Sequence, residues 1–133
     1  MKGPLFLGLD EVMEIHRDQI DRYGGSPGIR DIKLLESAVA TPAAGFGEDY
    51  LHTNIYEMAA AYLFHIIRNH PFTDGNKRTG AVAAIVFLMM NGIELHAGED
   101  GLEKMVRSVA EGKMGKTGAA AFFRKHASKG KHE

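Results

Sequence analysis

The chain contains no cysteine among its 133 residues. This absence excludes disulfide bonds and metal sites built from thiolates, and it fits a reducing compartment. An excess of one charge is also missing, since the formal net charge is −1 with histidine neutral. Surfaces that bind nucleic acid usually carry a clear basic excess, so the composition does not favour such a surface.

Apolar segments of membrane or leader length are missing as well. Residues 79–91 carry no formal charge, but a bilayer span needs roughly 18–20 apolar residues. The apolar run at residues 5–9 is shorter than the core of a signal peptide. We therefore expect a soluble cytoplasmic protein with no membrane partner, folded as a single domain over residues 1–133.

Apolar residues recur at helical spacing through most of the chain, which predicts a compact all-α domain of about six helices. The predicted helices cover about residues 9–23, 31–41, 54–69, 78–91, 102–112 and 117–125. The third and fourth of these are the most apolar and are expected to form the core. Residues 43–50 are predicted as a loop, with a small hairpin as the alternative, and residues 93–96 as a short extended segment. Residues 127–133 are predicted to be a flexible basic tail.

The segment that joins the two core helices, residues 70–78, reads His-Pro-Phe-Thr-Asp-Gly-Asn-Lys-Arg. Pro71 disfavours helical geometry at the residue before it, so the third helix should end there. Lys77 and Arg78 then lie at the start of the uncharged fourth helix, where the backbone dipole already contributes roughly half a positive charge. Two further cations are unfavourable there unless an anion binds between them, so the pattern indicates a phosphate site.

Two side chains of this segment suit phosphoryl or nucleotidyl transfer. Histidine readily accepts a proton near neutral pH, so His70 is the candidate general base; alternatively, it only ends the third helix. Asp74 is a hard oxygen ligand of the kind that binds Mg²⁺ on nucleotide phosphates, or it is part of an Asp-Gly turn.

The remaining residues of the segment have structural alternatives. Gly75 permits either a turn or the close approach of a phosphate. Asn76 caps the fourth helix, or it binds a phosphate or the loop itself. Arg68 is either another phosphate contact or a surface residue near the helix end. Phe72 is predicted to anchor the loop in the core, and His16 to be a hydrogen-bonded core histidine.

Residues 70–81 resemble the signature of the Fic family, His-x-Phe-x-Asp/Glu-Gly-Asn-Gly-Arg-x-x-Arg. The positions that match are His70, Phe72, Asp74, Gly75, Asn76 and Arg78. Two positions depart, since Lys77 stands in place of a glycine and Ala81 in place of the second arginine. Both departures resemble the death-on-curing (Doc) branch, as do residues 22–28 and the position of Arg68.

The resemblance implies a helical Fic fold whose motif loop joins two core helices, with ATP and Mg²⁺ as cofactors. It assigns catalysis to His70 and the metal to Asp74. It assigns nucleotide and phosphate binding to Arg68, Gly75, Asn76, Lys77 and Arg78. Most Fic proteins transfer AMP to a protein hydroxyl, whereas the Doc branch is understood to transfer the γ-phosphate. Lys77 adds bulk and charge where glycine leaves room for the α-phosphate, and Ala81 removes a phosphate contact, so a reversed nucleotide is expected.

The resemblance further implies the growth-arresting toxin of a toxin–antitoxin system, acting on a threonine of the bacterial translation factor EF-Tu. A small antitoxin is expected to inhibit it in trans, because no inhibitory Ser/Thr-x-x-x-Glu-Gly/Asn segment is found; residues 53–57 come closest, but Met58 follows them. Nucleic-acid contact is expected only through an antitoxin complex. An AMP transferase and a catalytically inactive binding or regulatory module are the alternatives.

Overall fold

A computed structural model describes residues 3–47 and 49–129, and these residues form six α-helices. The helices are α1 (Leu9–Tyr23), α2 (Ile32–Ala40), α3 (Ile55–Asn69), α4 (Asn76–Met90), α5 (Glu99–Ala110) and α6 (Lys116–Lys125). A short 3-10 helix, Thr41–Ala43, follows α2. The predicted all-α fold of about six helices is confirmed. No helix in the described ranges is long and apolar enough to cross a membrane.

Two small antiparallel strand pairs accompany the helices. Strand β1 (Gly45–Phe46) pairs with β2 (Asp49–Tyr50), so this segment forms the hairpin and not the plain loop. Strand β3 (Ile93–Leu95) pairs with β4 (Ala127–Lys129). The predicted flexible tail is therefore wrong for residues 127–129, because β3 provides hydrogen-bonding partners for their backbone. Residues 130–133 lie outside the described residues.

Helix α3 lies at the centre and packs against α2, α4 and α6. Its Tyr62 has no exposed surface. The Tyr62 hydroxyl donates to the Leu7 carbonyl at 3.0 Å and accepts from the Leu7 amide at 2.8 Å. Burial raises the pKa of Tyr62 to about 12. Because both hydrogen-bonding roles of the hydroxyl are satisfied, the core tolerates this polar atom, and α3 holds the segment before α1 in place.

A cluster of two histidines and a lysine joins α6 to the α3 region. Lys116 Nζ lies 3.0 Å from His65 Nε2 and 3.2 Å from His52 Nε2. An ammonium group can only donate, so both imidazoles accept and are neutral in this arrangement. Burial and then the Lys116 charge lower the pKa of His65 to about 4, and the same two causes lower the pKa of His52.

We expect His65 to make the fold acid-sensitive. Between pH 6.5 and about 4, the unfolded chain binds a proton at His65 that the folded chain does not bind, so the free energy of unfolding falls as the pH falls. Below about 4 both states are protonated and this loss is complete. One pKa unit corresponds to about 1.4 kcal/mol, so His65 contributes about 3.5 kcal/mol at most.

Urea unfolding at about pH 7.5, 5.5 and 4.5 measures this contribution in the wild type and in His65→Gln. The variant should lose less stability across the window, because glutamine keeps an acceptor for Lys116 but does not titrate. The exposed His96 is the matched control, and His96→Gln should follow the wild type. Equal acid losses in the wild type and His65→Gln would contradict the lowered pKa.

Candidate active site

The loop between α3 and α4 has a left-handed residue at each end. His70 ends α3 with φ 50° and ψ 53°, and it is the only non-glycine residue with positive φ among the residues described. Gly75 precedes α4 with φ 79°, a conformation that favours glycine. The predicted helix end at residue 70 is confirmed. Helix α4 begins two residues earlier than predicted, so Lys77 and Arg78 lie within its first turn.

Arg30 holds the backbone of His70 in this conformation. Its Nε donates to the His70 carbonyl at 2.6 Å, and its Nη2 donates to the Asn69 carbonyl at 2.9 Å. The Arg30 amide also donates to the Pro71 carbonyl at 2.7 Å. The Arg30 guanidinium thus bonds to carbonyl groups at the end of α3 that have no hydrogen-bonding partner within the helix. Sequence reasoning missed this residue, and no local signal marks it, because it lies 40 positions before His70.

Asn76 closes the loop from the inside. Its Oδ1 accepts from the Phe72 amide at 3.0 Å, and its Nδ2 donates to the Phe72 carbonyl at 2.9 Å. These two bonds orient the amide group so that Nδ2 faces His70 Nδ1, 3.1 Å away. Both Nδ2 hydrogens are then used, and the residue is 5% exposed. The side chain of Asn76 therefore binds the loop itself and holds the His70 ring, and it does not cap α4; its phosphate contact stays a prediction.

Phe72 anchors the loop in the core, as predicted. It has no exposed surface, and its ring stacks on the His16 imidazole with a centroid distance of 3.7 Å and an interplanar angle of 6°. His16 Nε2 donates to the Asp74 carbonyl at 2.8 Å. Burial lowers the pKa of His16, although this hydrogen bond opposes the shift. His16 is the hydrogen-bonded core histidine that the sequence predicts.

Two backbone amides hold the Asp74 carboxylate at the surface of the loop. Oδ1 accepts from the Gly75 amide at 2.8 Å, and Oδ2 accepts from the Ser26 amide at 3.3 Å. Gly25, with φ 120°, passes so close that a Cβ there would lie 2.6 Å from Asp74 Oδ2. Asp74 is exposed, and each oxygen keeps a lone pair, so the carboxylate fits a hard cation such as Mg²⁺.

The two cations of the motif have different surroundings. Arg78 Nη1 donates to the Gln19 carbonyl at 3.3 Å, and Nη2 donates to the Gly24 carbonyl at 3.0 Å, at the end of α1. The negative end of the α1 dipole thus compensates part of the Arg78 charge, and the phosphate contact of Arg78 stays a prediction. Lys77 is exposed, and its ammonium makes no hydrogen bond or ion pair within residues 3–47 and 49–129.

The amino end of α4 remains free to bind an anion. Its first turn contains no acidic residue, and no side chain caps it. The amides of an uncapped first turn point outward and favour negative charge. The Gly75 amide itself is bound to Asp74, so Gly75 serves the turn. The first-turn amides and Lys77 are therefore available to the predicted anion site, which stays a prediction.

One cavity of about 390 Å³ collects most of the predicted residues. We call it the motif cavity; its lining includes His70, Asp74, Gly75, Asn76, Lys77 and Arg78. Arg68 is not part of its lining. Arg68 instead lies in a neighbouring groove toward α5, with its guanidinium 5.6 Å from the Phe64 ring centroid. Ile67 and Ala110 line both spaces, and the contact of Arg68 with the phosphates stays a prediction.

The motif loop lies within a segment that matches a known protein family. A family model described as "Fic/DOC family" matches residues 6–88, more than half of the chain. The chain belongs to the Fic/DOC family. It is 35% identical over 86 residues to "Protein kinase doc" of Escherichia phage P1, a match that covers 65% of this chain and 68% of that protein.

A second relative of this Fic/DOC chain is "Toxin Doc" of Mycolicibacterium smegmatis (strain ATCC 700084 / mc(2)155). The two are 44% identical over 79 residues, which is 59% of this chain and 60% of that protein. The match therefore spans less than two thirds of this relative.

The segment matched by the Fic/DOC model contains α1, α2, α3 and nearly all of α4. It also contains residues 24–31, which form a second layer against the motif loop. There the Thr73 amide donates to the Gly28 carbonyl at 2.9 Å, and Ile29 forms a bridge with Phe72. Gly25 and Gly28 let this layer approach the loop, because a Cβ at Gly25 would lie 2.6 Å from Asp74 Oδ2 and a Cβ at Gly28 would lie 2.8 Å from Thr73 Oγ1.

Proposed function

We propose that this Fic/DOC protein is a toxin of the Doc type that transfers the γ-phosphate of ATP to a threonine hydroxyl of a translation elongation factor resembling EF-Tu. The observation that carries the proposal is Lys77, an exposed cation in the first turn of α4 that lines the same cavity as His70 and Asp74. The names of the two relatives, a protein kinase and a toxin, support both parts of the proposal.

The triphosphate of ATP binds at the uncapped amino end of α4. The first-turn amides and the helix dipole attract the phosphates, and Lys77 adds a charge that no acidic group of the described residues neutralises. Arg78 holds the first turn of α4 against the end of α1. Asp74 would hold Mg²⁺ together with phosphate oxygens, and the ion would neutralise charge on the transferred phosphoryl group. In the described part of the chain, no three His, Asp or Glu side chains lie together so that they could hold a metal. Phosphate oxygens would therefore have to supply other ligands of this ion.

The transfer step needs a base for the acceptor hydroxyl. The hydroxyl oxygen bonds to the γ-phosphorus, the bond from that phosphorus to the β–γ bridging oxygen breaks, and ADP leaves. His70 accepts the hydroxyl proton. Because the Asn76 amide donates to His70 Nδ1, the neutral ring carries its proton on Nε2 and cannot accept there. A half-turn of the exposed ring about its Cβ–Cγ bond frees Nδ1 as the base, for the loss of one hydrogen bond worth about 1 kcal/mol.

A small antitoxin is the proposed inhibitor of this toxin, acting in trans. The support is the name of one relative, "Toxin Doc", together with the missing inhibitory sequence segment. Direct nucleic-acid contact is not part of the proposal, except through the antitoxin complex. A translation factor as target places the activity in the cytoplasm.

AMP transfer is the second candidate, because the residues from His70 to Asn76 keep the Fic signature without change. Incubating a cell extract with the protein and either γ-labelled or α-labelled ATP separates the two reactions. We expect label from the γ-position only, on a band that mass spectrometry identifies as a phosphothreonine-containing elongation factor. Label from the α-position would establish AMP transfer instead. If neither ATP labelled any protein, a catalytically inactive binding module would be the better description.

A further inference from the structure

The backbone of His70 has a conformation that the motif loop does not favour by itself. At φ 50° and ψ 53° the residue is left-handed, and a residue with a Cβ keeps this conformation only when its surroundings hold it there. Pro71 follows His70, and the residue before a proline prefers extended backbone. A loop without other contacts would therefore be extended at residue 70, so a contact from outside the loop must favour the left-handed form.

The side chain of Arg30 makes that contact. Its Nε donates to the His70 carbonyl and its Nη2 to the Asn69 carbonyl, so one rigid planar group fixes two successive peptide units. Among the described residues the guanidinium forms no ion pair, so an acidic partner does not explain its position.

The backbone of the same segment binds the loop independently of this side chain. The amides of Arg30 and Asp31 both donate to the Pro71 carbonyl, at 2.7 and 3.0 Å. These two bonds remain whatever side chain stands at position 30. Loss of the guanidinium would therefore free the carbonyl of residue 70 while the loop stays docked on residues 30–31.

We propose that Arg30 is a positioning residue of the transfer reaction, because it selects the left-handed conformation of residue 70 and so places the His70 ring in the motif cavity. This inference rests on the proposed function. With extended backbone at residue 70, the Cα–Cβ bond of His70 would point in another direction, and the ring would leave Asn76 Nδ2, which now lies 3.1 Å from its Nδ1. Arg30 does not line the motif cavity, so it acts through His70 and not on the reactants.

Arg30→Met tests the inference, because methionine keeps an unbranched side chain but donates no hydrogen bond. The initial rate at which γ-labelled ATP labels the acceptor in a cell extract should fall about 10–10²-fold. Calorimetry should find an ATP affinity within about twofold of the wild type. Arg30→Lys should recover only part of the rate, because an ammonium cannot form the same fixed pair of bonds. Arg22, exposed on α1 and paired with Asp18, is the matched control, and Arg22→Met should transfer at the wild-type rate.

A double variant separates the positioning of His70 from a general role in the fold. If Arg30 acts through His70, then Arg30→Met should not slow transfer further once His70→Ala has removed the base. Equal slowing by Arg30→Met with and without the His70 side chain would overturn the inference and leave the proposed kinase activity standing, as would a wild-type rate in Arg30→Met.

Amide hydrogen exchange provides a measurement that does not depend on activity. The His70 amide, which donates to the Ile66 carbonyl at 3.2 Å, should exchange faster in Arg30→Met, while the amide of Tyr62 in the middle of α3 should not change. Faster exchange throughout α3 would assign Arg30 to the stability of the fold and overturn the inference. A wild-type protein that transfers nothing from ATP would refute the proposed function and this inference with it.

Discussion

Replacing His70 by alanine is expected to lower the rate of phosphoryl transfer by about 10²–10⁴-fold, the usual contribution of a general base. The fold should persist, because the side chain is exposed and its ring makes one hydrogen bond, to Asn76. The backbone contact that fixes the loop, from Arg30 to the carbonyl of residue 70, does not depend on the side chain. The effect should therefore fall on the chemical step.

Single-turnover rates with labelled ATP and the identified acceptor measure this effect, and calorimetry measures ATP binding. The His70 variant should bind ATP nearly as the wild type does, which would separate a lost base from a damaged binding site. His70→Asn is the second variant, since asparagine tolerates the left-handed backbone but cannot act as a base near neutral pH. Exposed His96 is the control, and His96→Ala should transfer at the wild-type rate. Unchanged transfer in both His70 variants would remove His70 from catalysis.

The helices could be predicted from the sequence because their signals are local. Apolar spacing and end signals such as Pro71 act within a few residues, and the core pair α3 and α4 lies where the pattern places it. The failure at residues 127–129 has a non-local cause. Their partner in the β3–β4 pair is residues 93–95. No feature of residues 127–129 themselves indicates pairing with a segment that lies roughly 30 residues earlier in the chain.

The contacts of the site also fall into local ones, which the sequence predicts, and non-local ones, which it does not. The residues of the motif loop meet in one cavity because they are nearly contiguous and a tight loop can only place them together. The sequence leaves Arg68 either as a phosphate contact or as a surface residue, and the structure places it in the groove next to the motif cavity. The partners of Arg78, the Gln19 and Gly24 carbonyls, lie 59 and 54 residues away. The sequence shows two adjacent cations, but it does not show whether a bound anion or carbonyl groups distant in the sequence compensate their charge.

Replacing Phe72 by alanine is expected to lower the free energy of unfolding by about 3–5 kcal/mol. The ring has no exposed surface, and its removal opens a cavity where it now stacks on His16 at 3.7 Å. A small domain is stable by only about 5–15 kcal/mol, so this single change removes a large fraction of the total stability. Urea unfolding at neutral pH measures the loss as a lower midpoint.

Phe46 provides the matched control, because it is 89% exposed on the β1–β2 hairpin. The change Phe46→Ala should alter stability by no more than about 0.5 kcal/mol. Phe72→Leu, which refills much of the lost volume, should recover part of the loss. If Phe72→Ala were as stable as Phe46→Ala, the ring would not be the anchor of the motif loop.

The same substitution should also affect transfer in molecules that remain folded. The backbone of Phe72 makes two hydrogen bonds with the Asn76 side chain, and these bonds aim Asn76 Nδ2 at His70 Nδ1. Once the ring no longer fixes Phe72 in the core, the loop backbone that carries His70 loses its fixed conformation, and the freed Nδ1 is less often placed against the acceptor hydroxyl. The rate of transfer should then fall more than the affinity for ATP, because the first-turn amides of α4 and Lys77 do not depend on the Phe72 ring. The core of the fold and the base of the reaction are thus connected through one side chain.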